Sequence, residues 1–283
     1  MLVNRLLEAG FDRVVVLCGA DCGYPEHGSV VIALWSYEAE ARPAEDEAWI
    51  HPYYDASQRA YLAARAVVQA TEGVQLRDDI RIKPIFARLP GFSQGHNTLS
   101  YAEGCGSRFH VQIMATAEPL PPTHTLEDAP HPLHCGECRR CVEACPTGAI
   151  REDGFHRERC LRNWMMSGKP VPLEARAMGN RLIGCDDCQR CCPKNPEPMG
   201  EPRAPVLLRN LLEHPGDACA ELRERIGANL SIPNRVLSQA CLIAGSTGRK
   251  DLSPLLEVLT NHPSETVREH ASWALKQMKT PSA

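Results

Sequence analysis

Apolar positions set the rhythm of the chain before any motif is read. The stretch LVNRLLEAG predicts a short helix stopped by Gly10. RVVVLCG and GSVVIALWSY are short, continuous and β-branched, the pattern of buried strands. SQRAYLAARAVVQAT repeats apolar residues at helical spacing, which predicts a helix packed on that sheet, and FHVQIMATA predicts a further strand. EPLPPTHTLEDAPHPLH is rich in proline and predicts a stiff linker. A cysteine-rich middle runs to about Gly200, where KNPEPMGEPRAP makes a second linker. Beyond it the pattern is helical. NRVLSQACLIAG and ETVREHASWALK align with Val236 on Val267 and Ala240 on Ala271, an internal repeat of HEAT-like length. Two amphipathic helices serving as plain packing scaffold would leave the same trace. The expected class is α+β: an α/β domain over 1–130, a cluster domain over 131–200 and a helical repeat over 201–283.

Composition narrows the class. The chain has 283 residues, 43% hydrophobic and 23% charged, which suits a soluble globular protein with a full core. A formal net charge of −4 argues against a protein that coats nucleic acid without specificity. No apolar run is long enough to span a bilayer, and residues 1–10 lack the pattern of a signal peptide. A cytoplasmic location without membrane contact is therefore expected. In that reducing compartment, fourteen cysteines point to metal or redox chemistry before disulfides.

The cysteines are spaced for iron. Cys135, Cys138, Cys141 and Cys145-Pro146 follow C-x2-C-x2-C-x3-C-P, in which three thiolates hold one 4Fe–4S cube and the fourth reaches another. A second block supplies Cys185, Cys188 and Cys192-Pro193, with Cys191 squeezed in. Two cubes take eight thiolates, and the lone Cys160 between the blocks is the nearest candidate for the last. The crossed arrangement assigns Cys135, Cys138, Cys141 and Cys192 to one cluster, and Cys145, Cys160, Cys185 and Cys188 to the other. Cys191 is the rival eighth ligand. Zinc is the competing metal, since C-x2-C pairs also build structural zinc sites. Four ligands satisfy zinc, however, and explain neither the third close cysteine nor the two C-P endings. Cys18, Cys22, Cys105, Cys219 and Cys241 read as packing residues. His131 and His134 stand before the first block, placed to touch a cluster or merely to hydrogen-bond.

The middle third resembles the epoxyqueuosine reductase family. The resemblance rests on CGECRRCVEACPTGAI, then Cys160, then Met178-Gly179-Asn180, Gly184-Cys185-Asp186-Asp187-Cys188-Gln189 and Cys192-Pro193 with Asn195. It extends to GFSQGHNTL, similar to the family's glycine-rich loop through Gly95, Asn97, Thr98 and Leu99. The strand region is similar at Gly106, Ser107, Phe109, Thr116, Pro119 and Leu120, and the helical tail at Val267–Leu275. The resemblance implies that the N-terminal α/β domain binds a corrinoid, cobalamin held base-off, with Gly95, His96, Asn97 and Thr98 at the cofactor. The two clusters would feed it electrons from a donor such as ferredoxin or flavodoxin, and the epoxide oxygen of epoxyqueuosine in tRNA would be removed. A proton donor is implied too, and Asp78 and Asp79 in RDDIRIKP are its candidates, with Asp55 as another. Departures are visible: the N-terminal domain is shorter, and Ser93, His96 and Ala117 replace the family's tryptophan, lysine and aspartate. Two other readings stand beside this one, an iron–sulfur electron carrier and a corrinoid reductase of a small molecule. If tRNA is the partner, Arg139, Arg140, Arg157, Arg159, Arg162, Arg176 and Arg181 near the clusters, with Arg235, Arg249 and Lys250, are the available cations.

Overall fold

The computed structural model describes residues 2–44, 46–133, 135–176, 178–197, 200 and 206–279. In chain order it begins with helix α1 (Leu2–Glu8), strands β1 (Arg13–Cys18), β2 (Ser29–Ser36) and β3 (Glu47–Ile50), helix α2 (Pro52–Gln69) and β4 (Val74–Leu76). Helix α3 (Ile82–Phe86), β5 (Phe92–Gln94), β6 (Ser100–Ala102) and β7 (Phe109–Thr116) follow. The cysteine-rich stretch holds only short pieces: α4 (Arg140–Glu143), β8 (Ile150–Arg151), β9 (Gly154–Phe155), α5 (Leu161–Ser167), β10 (Arg181–Ile183) and α6 (Asp187–Arg190). Strand β11 (Val206–Leu207) leads into α7 (Leu208–Glu213), α8 (Pro215–Ile226), α9 (Pro233–Ser246), α10 (Ser253–Leu259) and α11 (Glu265–Lys279). Among the described residues no helix is long and apolar enough to cross a membrane.

The chain forms two compact units, each drawn from three separated stretches. The first comprises Met1–Ala39, Asp55–Cys141 and Cys188–Glu197; the second comprises Glu40–Tyr54, Val142–Asp187 and Pro198–Ala283.

A four-stranded sheet of order β1-β2-β7-β4 organises the first unit. Its apolar runs are continuous because both faces are covered. Val15, Leu17 and Ile32 pack on one side with Ile85, Phe86 and Phe92. Val14, Val16, Val31 and Ala33 pack on the other with Leu6, Ala60 and Ala64 from α1 and α2. The strands and the long helix fall where the hydrophobic pattern puts them, but the α/β expectation for 1–130 changes in one respect. Every strand pair in this sheet is antiparallel. The Gly19–Gly28 connection explains this for β1 and β2, since a parallel crossover needs about a dozen residues or more, usually helical. The result is an α+β arrangement.

In the second unit, β10, β3 and β11 form a small mixed sheet, with β3 parallel to β10 and antiparallel to β11. Its core gathers Ile50, Tyr54 and Leu182 with Leu211, Leu222, Val236, Ala240, Val267 and Ala271. The two similar segments of the sequence are α9 and α11, and all four aligned positions are fully buried. These helices approach closely at Gly245, where a Cβ would stand 2.7 Å from Ala274 Cα. Leu242, from the same α9, packs instead with Leu161, Met165, Val171 and Met178 of the cysteine-rich stretch.

His270 joins these layers. It is fully buried; its Nε2 accepts from the Val171 backbone N–H at 3.0 Å, which leaves Nδ1 to donate to Ser238 O at 3.1 Å. Burial pulls its pKa down to about 4. The unfolded chain takes up a proton near the ordinary histidine value, so this ring contributes its full stability above about pH 6.5 and loses it as pH falls toward 4. Thermal unfolding should therefore show a lower melting temperature at pH 5 than at pH 7. His270→Phe, which strands one buried donor and one acceptor, should cost about 2 kcal/mol or more at pH 7 and flatten that pH dependence. An unchanged pH profile in the variant would contradict this account.

Candidate functional site

The first unit gathers four of the thiols that spacing assigned to one cluster. Cys135 and Cys138 are linked by a turn, Cys138 N donating to Cys135 O at 3.0 Å, and Cys141 is buried in α4. Cys192 arrives from the far block, in the turn after α6, where its N–H donates to Gln189 O at 3.3 Å. Burial raises the Cys141 thiol above its usual pKa, and the neighbouring charges of Cys135, Cys192 and Cys138 add to the shift. Cys191 lies near the same group: burial, then Cys141 and Cys192, push its thiol up to about 11. Its Sγ points to Cys188 O at 3.7 Å, a bond made by a protonated thiol.

The glycine-rich loop between β5 and β6 rests on these sulfurs. Gly95 N donates to Leu99 O at 3.1 Å and Thr98 N to Gly95 O at 2.9 Å, closing a tight loop. Thr98 takes φ +60°, a rare left-handed conformation for a β-branched residue. The His96 backbone N–H donates to Cys135 Sγ at 3.4 Å. A Cβ on Gly95 would stand 2.9 Å from Asn97 Oδ1 and Tyr101 Cε2, so only glycine lets the loop close this tightly over Cys135. Asn97 is buried, accepts from Leu99 N at 3.2 Å and donates to Tyr101 Oη at 3.0 Å. Tyr101 in turn donates to Cys192 Sγ at 3.3 Å. The His96 ring accepts at Nε2 from Arg139 Nη1 at 2.9 Å, which places the ring proton on Nδ1.

Three more residues of the similar motifs acquire a reason here. Asn195 Oδ1 accepts from Ser107 N at 2.7 Å while its Nδ2 donates to Gln189 O at 2.8 Å. Gln189 Nε2 donates to Ser107 O at 3.0 Å. These bonds tie the Cys192 turn to the start of β7. Beside them a cavity of about 590 Å³ is lined by Phe92, Ser93, Tyr101, Ala102, Lys194 and Asn195, among others.

In the second unit, burial works to raise the Cys145 thiol, but the backbone N–H groups of Thr147, Ala149 and Ile150 outweigh it and lower the pKa. Ala149 N donates to Cys145 Sγ at 3.2 Å. Burial raises the pKa of Tyr54, Arg162 opposes the shift, and both Cys160 and Cys185 lie close enough to add to it. The lone Cys160 and Cys185 of the second block thus both lie near Tyr54. Burial and then the Asp187 charge push the Cys185 thiol up to about 12, so a thiolate there needs a cation to offset it. The two aspartates of the block are clamped. Arg42 binds Asp186 at 2.6 Å and Asp187 at 3.0 Å, Arg181 binds Asp187 at 2.8 Å, and the Arg42 guanidinium lies 4.2 Å from the Trp49 ring centre. Cys188 falls in the first unit, and its assignment rests on spacing.

These donors suit iron–sulfur ligation, where N–H groups facing sulfur are a normal means of tuning. Among the described residues no three His, Cys, Asp or Glu side chains are drawn together tightly enough for a single metal ion. A four-iron cube spreads its ligands over its corners.

Other candidates fare differently. Asp78 and Asp79 are exposed. Arg77 Nε donates to Asp79 at 2.8 Å and holds its carboxyl down at about 2, so Asp79 has no proton to give at neutral pH. That geometry does not support the acid role drawn from the resemblance. Asp55 is buried, in the first turn of α2. His131 is occupied by Phe92 O and Glu127, and His134 lies outside the described residues. Cys22 and Cys105 pack against the sheet core, and Cys219 and Cys241 are buried in the helical core. Sequence reading missed Arg42, Trp49 and Tyr101. None belongs to a cysteine motif, and only the fold brings them to one.

Residues 134–195 match the family described as the 4Fe-4S double cluster binding domain. An epoxyqueuosine reductase of Pseudomonas aeruginosa is 32% identical over 203 residues, covering 65% of this chain and 53% of that protein. One from Bacillus subtilis is 31% identical over 207 residues, covering 68% and 51%. The chain is related to the epoxyqueuosine reductases. The alignments span about half the length of these curated relatives. The fold agrees as well. A crystal structure of epoxyqueuosine reductase with an epoxyqueuosine-modified tRNA-Tyr stem loop superposes with a TM-score of 0.76 at 20% identity, over 99% of this chain and 90% of that one. The enzyme from Streptococcus thermophilus gives 0.75 at 19% identity, with the same coverage.

Two cubes fix a stoichiometry. Anaerobic reconstitution should give about eight irons and eight acid-labile sulfides per chain. Cys160→Ala should lose or degrade one cluster, while Cys191→Ala keeps both. The reverse outcome, a cluster lost only from Cys191→Ala, would exchange the roles of these two cysteines.

Proposed function

We propose that this chain is a cobalamin- and iron–sulfur-dependent reductase that converts epoxyqueuosine to queuosine in tRNA. The observation that carries the reading is the position of the Gly95–Thr98 loop, hydrogen-bonded to Cys135 and, through Asn97 and Tyr101, linked to Cys192. The loop that resembles the family's glycine-rich loop, and to which this reading gives the corrinoid, rests on thiols suited to an electron-carrying cluster. In this reading Cys135, Cys138, Cys141 and Cys192 hold one cube, and Cys145, Cys160, Cys185 and Cys188 hold the other. Gly95, His96, Asn97 and Thr98 present the surface on which cobalamin lies, with the glycine letting that loop close over Cys135.

Bound cobalamin would supply a strongly reducing cobalt centre. The chain's own residues have three other tasks. The thiolates and their N–H donors hold the relay rigid, the loop keeps the cofactor near it, and an acid protonates the departing oxygen. Opening the epoxide to the alkene consumes two electrons and two protons and releases water, so an external donor of the ferredoxin or flavodoxin class must supply the electrons. Of the three acids considered, Asp55 has the buried setting such a group needs, and Asp79 does not.

Segment 1–130 would then be the cofactor domain, 131–200 the cluster domain, and 201–283 a HEAT-like repeat for docking tRNA. Several of the candidate cations are already engaged. Arg176 binds Val171 O and Glu269, Arg181 binds Asp187, and Arg249 binds Asp251. Arg140 and Lys250 are exposed, and so are Arg157 and Arg159 despite their bonds to Asn163 Oδ1 and Thr147 O, which leaves these four better placed to meet phosphates.

No D-x-H-x-x-G stretch occurs in the sequence, so no histidine of that kind is expected on the cobalt. Titration of the cluster-loaded protein with cob(II)alamin should give binding and an electron paramagnetic resonance spectrum without nitrogen superhyperfine splitting. Splitting would show a nitrogen ligand on the cobalt and contradict this expectation. Failure to bind any cobalamin would favour an iron–sulfur electron carrier.

A further inference from the structure

Tyr101 stands at the end of a hydrogen-bond chain that aims one proton at sulfur. The side chain is buried, at 5% exposure. Its hydroxyl oxygen accepts from Asn97 Nδ2 at 3.0 Å, its O–H donates to Cys192 Sγ at 3.3 Å, and Ser107 hydrogen-bonds the same phenol. Asn97 is itself fixed by Leu99 N at 3.2 Å, and the loop around it is closed by Gly95. The Cys192 turn is held from its other side by the Asn195 bonds to Ser107 and Gln189. Donor and acceptor are thus both fixed from independent directions.

We infer that Tyr101 is a positioning residue that raises the reduction potential of the cluster held by Cys135, Cys138, Cys141 and Cys192. The inference rests on the reading of Cys192 as a ligand of that cluster. A hydrogen bond to a ligating sulfur draws electron density away from the iron and stabilises the more negative, reduced cube more than the oxidised one. The His96 backbone N–H acts in the same sense on Cys135, but only His96→Pro would remove it, at the cost of disturbing the tight loop. The other thiol set is surrounded differently. Cys145 faces backbone amides, whereas Cys185 Sγ lies 3.4 Å from the Asp187 carboxylate, which Arg42 and Arg181 bind in turn. Among the described residues, the phenol of Tyr101 is therefore a side chain that acts on the potential of the first cluster and not on that of the second.

The test is a redox titration of the reconstituted full chain, without cobalamin, followed by electron paramagnetic resonance. Tyr101→Phe should move one of the two midpoints to a more negative value, leave the other unchanged and keep the iron content. After exchange into D2O, pulsed electron–nuclear double resonance should show one strongly coupled exchangeable deuteron fewer in the variant. If Tyr101→Phe loses iron, 3,5-difluorotyrosine at position 101 decides instead, since its more acidic hydroxyl should move the same midpoint upward. Unchanged midpoints in whichever of these proteins retains its iron would overturn the inference. Cys192→Ser separates the two layers of the argument. If it leaves both clusters untouched, the ligand reading fails; if it perturbs one cluster that Tyr101→Phe does not move, only the role of Tyr101 fails.

Discussion

A sulfur that binds iron must be ionised while largely withdrawn from water, and an ionised group in that setting needs donors or cations around it. Much of this molecule follows from meeting that condition repeatedly within a short stretch of chain. Around Cys145 the backbone supplies the donors, with N–H groups of the turn after Pro146 lowering the thiol pKa. Around Cys135 and Cys192 they come from a distant hairpin, through His96 N–H and the Tyr101 hydroxyl. At Cys185 the neighbour is a carboxylate, and that thiol stays protonated until a metal ion neutralises it.

The cysteine-rich stretch has little regular structure among its described residues, and Leu161, Met165, Val171 and Met178 pack on Leu242 of α9, so much of its geometry is imposed from elsewhere. In the first unit the sheet does this work: Ser107 at the start of β7 holds Asn195 and Gln189, and the β5–β6 loop covers the thiols. In the second unit the helices do it. His270 and Leu242 reach Val171 and the α5 layer, while Arg42 and Arg181 fix the paired aspartates beside Cys185. Because α7–α11 share a core with Ile50, Tyr54 and Leu182, those helices are part of what shapes the site and not an appendage.

How much of this the sequence discloses depends on the range of the interaction. The strands RVVVLC and SVVIALWS, the helix over Pro52–Gln69 and the paired helices α9 and α11 are local patterns and stand where periodicity places them. The cysteine spacing is local too, and the Cys141 surroundings bring together the thiols grouped by that spacing. Antiparallel pairing of β2 with β7 was not legible, because a buried apolar run looks the same in either direction. The contact of Tyr101 with Cys192 spans 91 residues and that of Arg42 with Asp186 spans 144, and neither tyrosine nor arginine carries a motif that announces a partner. Asp79 shows the opposite error. Its place near a resemblance made it an acid candidate, while Arg77, two residues before it, keeps it ionised.

The reductase reading stands or falls on turnover. The full chain, loaded anaerobically with both clusters and cobalamin, reduced, and mixed with an epoxyqueuosine-bearing tRNA stem-loop, should yield the nucleoside lacking one oxygen atom by mass spectrometry, with product proportional to electrons supplied. Unchanged epoxyqueuosine, from protein whose spectra show both clusters and the cobalamin bound and reduced, would contradict it.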